Sequence, residues 1–194
     1  MLEPWPTGEF GCVLADPPWK FETWGAQDEN TRGPERHYET MEDEAICAMP
    51  VKGLAARDCV LLMWVTWPKL EASFTVIKAW GFTYKTLGFI WVKGDSLPLF
   101  PDDKAAQTGT GYWSRANTEP CLLATRGHPK RLNKDVSQVF FEKRRQHSRK
   151  PDDIYTRTER LVAGPHCELF ARTRHEGWTS WGNQVGKFTK SGED

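Results

Sequence analysis

Four short apolar runs constrain this chain more than any other feature. They are Cys12-Val13-Leu14-Ala15, Val60-Leu61-Leu62-Met63-Trp64-Val65, Pro120-Cys121-Leu122-Leu123-Ala124-Thr125 and Cys167-Glu168-Leu169-Phe170-Ala171. Each is too short to cross a membrane and too continuously apolar for a strand wetted on one face, so each reads as a strand covered on both sides. Helical stretches lie between them. Thr40 with Asp43 three residues on resembles a capping box and opens a helix over 41–48. Pro68 opens a second, reaching about residue 80. Pro151-Asp152-Asp153 starts a third, to about residue 162, with acids in the first turn where the helix dipole favours them. Residues 82–92 read as a further strand with a bulge at Gly88, and 136–141 and 178–182 as short ones. Strands alternating with helices predict an α/β fold on a largely parallel sheet, as one domain over residues 1–194. A lead-in (1–10), two long loops (20–39 and 93–118) and a tail (187–194) frame it.

Lysines plus arginines equal aspartates plus glutamates, 26 each, so net charge does not point to a polyanion. Its distribution does. Between Arg126 and Lys150 nine basic residues face two acids, a local excess of seven. Arg126, Lys130, Arg131, Lys134, Lys143, Arg144, Arg145 and Arg149 are candidates to track a phosphate backbone, against the plainer reading of a solvated face. Ten tryptophans in 194 residues suggest that some rings hold a ligand. The five cysteines are scattered, with no C-x-x-C, and read as reduced core thiols and not as a metal site. No basic-then-apolar leader and no membrane-length run is present, which predicts a soluble cytoplasmic protein.

Asp16-Pro17-Pro18-Trp19 ends the first apolar run. An ionised Asp16 accepts one hydrogen of an exocyclic amine, and the rigidly held Pro17 carbonyl accepts the other. Pro18 adds no competing donor, and Trp19 offers a π face to a flat ring. Two acceptors on an aryl amine favour a pyramidal nitrogen whose lone pair can reach an electrophile. The tetrapeptide alone is equally an ordinary strand-to-turn junction with Trp19 in the core.

Further blocks follow in order: Glu35-Arg36-His37-Tyr38-Glu39-Thr40-Met41, Leu62-Met63-Trp64-Val65-Thr66, Ile90-Trp91-Val92-Lys93, Lys150-Pro151-Asp152-Asp153-Ile154-Tyr155, and Glu168-Leu169-Phe170-Ala171-Arg172 with Trp181-Gly182-Asn183-Gln184. With them the chain resembles, over about residues 11–186, the adenine amino-methyltransferases typified by the catalytic subunit of the eukaryotic mRNA adenosine methyltransferase (MT-A70-type). The resemblance implies a Rossmann-like sheet that uses S-adenosyl-L-methionine, with helices on both faces. It also implies a permuted motif order, the catalytic motif N-terminal and the cofactor strand C-terminal.

The resemblance distributes roles as follows. Asp16, Pro17, Pro18 and Trp19 are catalytic. Tyr38 matches a loop aromatic beside the target base, with His37, Trp24 and Trp113 as further substrate contacts; for Trp24 and Trp113 a packing role is the rival. Trp64 and Trp91 read as core. Lys150 matches a lysine facing the cofactor's carboxylate, and Asp16 is also placed against the cofactor. Arg172, Asn183 and Gln184 match positions that bind its ribose and adenine, and Glu168 is either a ribose acceptor or structural. The chain departs from the eukaryotic pattern after Arg172. Arg174-His175 stands where that family has a His-Asn pair, and the spacing to Asn183 is shorter. The acidic segment before the catalytic strand is absent too, with Trp5-Pro6 a partial substitute.

The expectation is methyl transfer to the exocyclic amine of adenine in DNA. DNA is favoured because the chain lacks the zinc-finger and helical additions of the eukaryotic enzyme. The same reaction on RNA is the first rival, and a non-catalytic nucleic-acid-binding subunit the second. No metal is expected. Relatives that pair suggest a possible homodimer.

Overall fold

The computed structural model describes residues 4–20, 40–94, 113–114, 116–145 and 149–188. Seven strands form one sheet in the order β5-β3-β4-β2-β1-β6-β7. They are β1 (Phe10–Ala15), β2 (Ala55–Trp64), β3 (Thr83–Lys93), β4 (Thr118–Arg126), β5 (Val139–Glu142), β6 (His166–Leu169) and β7 (Trp178–Trp181). The helices are α1 (Asp43–Cys47), α2 (Leu70–Ala79) and α3 (Asp153–Leu161).

β1 lies between β2 and β6 and runs parallel to both. β7 continues the parallel set beyond β6, and β5 runs parallel to β3 at the other edge. β4 alone is reversed, antiparallel to both neighbours. The sheet is therefore mixed, which qualifies the largely parallel expectation. The reason is in the connections. No helix is described between β3 and β4, and Lys93 N–H reaches the Asn117 carbonyl at 2.8 Å, so the two strands close as a wide hairpin. A parallel pair would have needed a crossover.

The pleat of β1 feeds two cores. Val13 and Ala15 point to one, shared with Ile46 of α1 and with Val76, Ile77 and Trp80 of α2 and its end. Cys12 and Leu14 point to the other, shared with Trp64, Phe89, Phe140 and with Ile154 and Tyr155 of α3. Helices thus cover both faces, as expected. Burying each of these large side chains contributes roughly 1.5–3 kcal/mol, so the two layers hold the central strands firmly. Trp64 and Trp91 are core residues, as the sequence suggests. The five cysteines are unbridged.

Local chemistry sets the element ends. α2 stops in a Schellman arrangement: Gly81 at φ 84° donates to Lys78, and Phe82 donates to the Ile77 carbonyl at 3.0 Å. Pro68 sits in a short 3-10 turn, Trp67–Lys69, ahead of α2 and not at its first α-helical position. The expected capping box at Thr40 does not form; Glu42 is the N-cap of α1, with no side-chain cap bond. The bulge expected at Gly88 is present, and a Cβ there would meet Leu62 at 3.0 Å and Leu123 at 3.1 Å. Among the described residues no helix is long and apolar enough to cross a membrane.

Candidate active site

The carboxyl ends of β1, β2 and β6 and the start of α3 meet in one cleft. Its lining includes Leu14, Asp16, Trp64, Lys150, Tyr155, Glu168, Phe170, Arg172 and Phe188. Open α/β sheets bind ligands at this edge, outside the carboxyl ends of the strands.

The Asp16 turn is held by its backbone. Asp16 N–H approaches the Leu169 carbonyl at 3.4 Å, Trp19 N–H donates to Pro17 at 2.8 Å, and Met41 N–H donates to Pro18 at 2.9 Å. The Pro17 carbonyl keeps its second lone pair for another donor. Trp19 departs from the expected place. It is 2% exposed, packed in the α1–α2 core, and its indole N–H donates to the Trp64 carbonyl at 3.1 Å. The ring braces the turn against β2 and offers no face to the cleft. The apolar surroundings of Ile46 and Leu61 outweigh a half-solvated position for so large a ring.

A chain of alternating charges runs from Asp16 into the sheet. Both Asp16 oxygens lie 2.9 Å from Lys150 Nζ. Lys150 also reaches Glu119 at 3.2 Å, and Glu119 is bonded to Lys93 at 2.7 Å. The ammonium of Lys150 sits 5.7 Å over the Trp64 ring, a cation–π contact. Burial alone would lift the Glu119 carboxyl, but the Lys150 and Lys93 ammoniums hold it down at about 2. Burial would likewise lower Lys150, and the charges of Asp16 and Glu119 instead raise it above the usual lysine range. Lys150 and Glu119 are therefore both charged around neutral pH.

Glu168 behaves in the opposite way. Burial pushes its carboxyl up to about 8, with Asp16 adding to the rise, against the lowering effects of the Tyr155 hydroxyl bond and the Arg172 charge. Tyr155 Oη donates to Glu168 Oε2 at 2.9 Å. Tyr155 in turn stacks on His175, with ring centroids 4.2 Å apart and planes 4° from parallel. Phe170 turns the chain from β6 into the cleft at φ 65°, a left-handed conformation unusual for an aromatic residue. Gly182 backs this turn so closely that a Cβ would lie 2.6 Å from the Ala171 carbonyl.

The cleft gathers Asp16, Lys150, Glu168 and Arg172 from the expected site residues. Arg174, His175, Asn183 and Gln184 are not part of its lining. Arg174 and Asn183 are exposed, and Gln184 Oε1 takes a bond from Lys187 at 3.3 Å. Trp113 is fully exposed. Trp24, His37 and Tyr38 lie outside the described residues. The basic segment divides between the two ends of the sheet. Arg126 pairs in register with Cys59, at the amino end of the parallel strands, and donates to the carbonyls of Lys52 and Ala55. Lys130, Arg131 and Lys134 are exposed at that same end, where Arg131 bridges to Val162. Lys143, Arg144 and Arg145 follow β5, whose last residue pairs with Lys93 at the cleft end. Arg145 is committed to Glu142 and Asp152, at 2.8 and 2.6 Å.

Sequence reasoning missed Glu119, Lys93 and Tyr155. A signal existed for two of them: Glu119 is an acid directly before a buried strand, and Lys93 closes the Ile90-Trp91-Val92 block.

Residues 10–184 match the model of the MT-A70 family. The chain is 33% identical over 183 residues to an N(6)-adenosine-methyltransferase MT-A70-like protein of Arabidopsis thaliana, covering 92% of this chain and 24% of that one. It is 31% identical to the human N(6)-adenosine-methyltransferase catalytic subunit METTL3, covering 92% of this chain and 28% of that one. To the Type II methyltransferase M.MunI of Mycoplasma sp it is 28% identical, and there the match covers 93% of this chain and 79% of the relative. The chain thus spans about a quarter of the length of the first two relatives and most of the third.

Proposed function

The chain belongs to the MT-A70 family, and from that premise we propose that it methylates the exocyclic N6 amine of adenine in DNA. The observation that carries the chemistry is Asp16 on a braced turn lining the cleft, bonded to the largely sheltered Lys150. DNA is favoured over RNA because the match spans most of a Type II methyltransferase.

S-adenosyl-L-methionine, the cofactor of MT-A70 methyltransferases, supplies a methyl group already activated on a sulfonium. The cleft suits such a ligand. Its charged lining answers a zwitterion, Lys150 and Arg172 for the carboxylate and Asp16 for positive charge, and Phe170 and Phe188 answer an aromatic end. The motif order, with the catalytic turn after the first strand and the cofactor residues after β6, fits the permuted arrangement of adenine amino-methyltransferases.

Asp16 and the Pro17 carbonyl accept the two amine hydrogens, which pyramidalises the nitrogen and aims its lone pair. Asp16 keeps acceptor capacity for this beside its bond to Lys150, since a carboxylate offers about four lone-pair sites. No strong base is needed before transfer. Alignment and the placing of charge supply most of the rate. As the N–C bond forms, the nitrogen becomes cationic, and Asp16 stabilises that charge and is the nearest acceptor for the departing proton. Lys150, fixed by Glu119, holds the Asp16 carboxylate in register. In duplex DNA the adenine must be turned out of the stack to reach Asp16. Tyr38, His37 and Trp24 are the residues proposed to receive it.

The test is incubation of the purified protein with labelled S-adenosyl-L-methionine and matched single- and double-stranded DNA and RNA, read by nucleoside mass spectrometry. N6-methyladenine in DNA is the expected product. Label found only in RNA would move the substrate to the rival reading. Cofactor binding absent while nucleic acid still binds would favour a non-catalytic subunit.

A further inference from the structure

Trp67 has no place in the mechanism above, yet it stands at the same end of the sheet. It lies three residues past the end of β2, the strand that neighbours β1 in the sheet, and Asp16 follows the last residue of β1. Trp67 is 46% exposed, although burial of a tryptophan ring is among the largest apolar gains a fold can make. The ring is not loose. Its indole N–H donates to Thr118 Oγ1 at 3.1 Å, across on β4. Thr118 is the residue before Glu119, which bonds the same Lys150 that holds Asp16.

Phe74 and Tyr84 are also exposed, but they pack on each other at 5.0 Å. Trp67 makes no aromatic contact among the described residues. The adjacent Lys69 is paired with Asp43 at 2.8 Å. With its N–H used, Trp67 presents only a π face and an apolar edge. That is the chemistry of a stacking platform, indifferent to hydrogen-bond pattern. Further along the same edge, past β4 and β3, exposed Lys143 and Arg144 follow β5. Four strand spacings separate β5 from β1, roughly 19 Å.

We propose that Trp67 stacks on a nucleobase flanking the target adenine, so that the polymer runs across the strand ends from Asp16 over Trp67 toward Lys143 and Arg144. This rests on the proposed adenine methylation and names where its substrate lies. Stacking accepts any base, so Trp67 contributes affinity without sequence choice.

The experiment compares wild type, Trp67→Ala and Trp67→Phe on a twelve-nucleotide single-stranded substrate and on a dinucleotide whose one adenine lacks a flanking base on the Trp67 side; the adenine is placed at either end to cover both polarities. Trp67→Ala is expected to raise KM on the long substrate about 5- to 100-fold, with kcat little changed. On one of the two dinucleotides the loss disappears, and Trp67→Phe recovers most of it. Affinity for S-adenosyl-L-methionine, measured by calorimetry, stays at the wild-type value in both variants. An unchanged KM on the long substrate overturns the inference. So does an equal loss on all substrates, or a wild-type dimer that Trp67→Ala dissolves without a change in KM. Wild type that methylates no adenine in any polymer fails the underlying reading instead, which keeps the two failures distinct.

Discussion

The two ends of the sheet carry the same residue types to different effect. At the carboxyl end Lys150 and Lys93 are tied into acids, at 17% and 12% exposure, and their partners Asp16 and Glu119 are similarly sheltered. At the amino end Lys130, Arg131 and Lys134 stand in solvent. Lys150 and these three lie in one basic stretch of sequence, yet the two ends of the sheet are separated by the length of β1, roughly 17 Å. Charge density along a chain therefore says little about a field in space. What decides it is which end of the sheet each turn reaches. Exposed charges roughly 17 Å away are beyond a Debye length at physiological salt, so the amino-end lysines exert little pull on a substrate at the cleft.

The carboxyl end should fail hardest when its first residue is removed. Asp16→Ala is expected to cut kcat by about 10²- to 10³-fold or more, because it deletes both the amine acceptor and the charge that answers the developing cation. Binding of S-adenosyl-L-methionine should largely survive, as read by calorimetry. Normal turnover in that variant would dissolve the contrast between the two ends. Glu119→Gln tests the same end without touching substrate. Removing one partner of a buried ion pair typically costs on the order of 3 kcal/mol, since the remaining charge stays buried. Lys150 and Lys93 would each lose a counter-charge. A fall in melting temperature of about 6–12 °C is expected, measured by calorimetry. A turnover defect should accompany it, because Lys150 then holds Asp16 less firmly.

Much of this was readable in the amino acids. The continuous apolar runs identified the central strands because burial on both faces leaves no room for alternation. Asp16, Lys150, Glu168 and Arg172, which share the cleft, each fall in a block of distinctive residues and so stand out in the sequence as candidates. Trp19 was not, since a motif states which ring follows the prolines and not which way it packs. The direction of β4 was hidden for a related reason: a long loop permits either orientation, and only the pairing of Lys93 with Asn117 decides it. Glu119 was missed because its importance comes from Lys93, 26 residues earlier, and Lys150, 31 residues later.

A smaller effect separates the two acids within the cleft. Glu119 is held down at about 2, so its contribution is present above the ordinary carboxylate range and is lost only as pH falls toward 2. Glu168 is raised to about 8, so between its ordinary value and 8 the folded protein holds a proton that the unfolded chain has released. Its contribution is complete at low pH and is lost as pH rises through 8. The ligand-free protein should therefore lose stability from about pH 5 to pH 9, and Glu168→Gln should flatten that slope in melting curves. An unchanged slope would mean that Glu168 is already ionised in the open cleft.

The gentlest test returns to the divided basic segment. If a polyanion crosses the carboxyl ends of the strands, Lys143 and Arg144 meet phosphates and Lys130, Arg131 and Lys134 do not. Removing one phosphate-binding cation should lower the dependence of log affinity on log salt by about one. Lys143→Ala with Arg144→Ala should thus reduce the slope by about two. The triple substitution Lys130→Ala, Arg131→Ala, Lys134→Ala should leave it unchanged, with kcat/KM within about twofold of wild type, as for surface changes remote from the chemistry. The reverse result, a slope that falls only with the amino-end triple, would require the polymer to wrap the opposite end of the sheet. A single strand laid over the cleft could not then be the whole substrate, and a longer duplex bridging both ends would have to replace it.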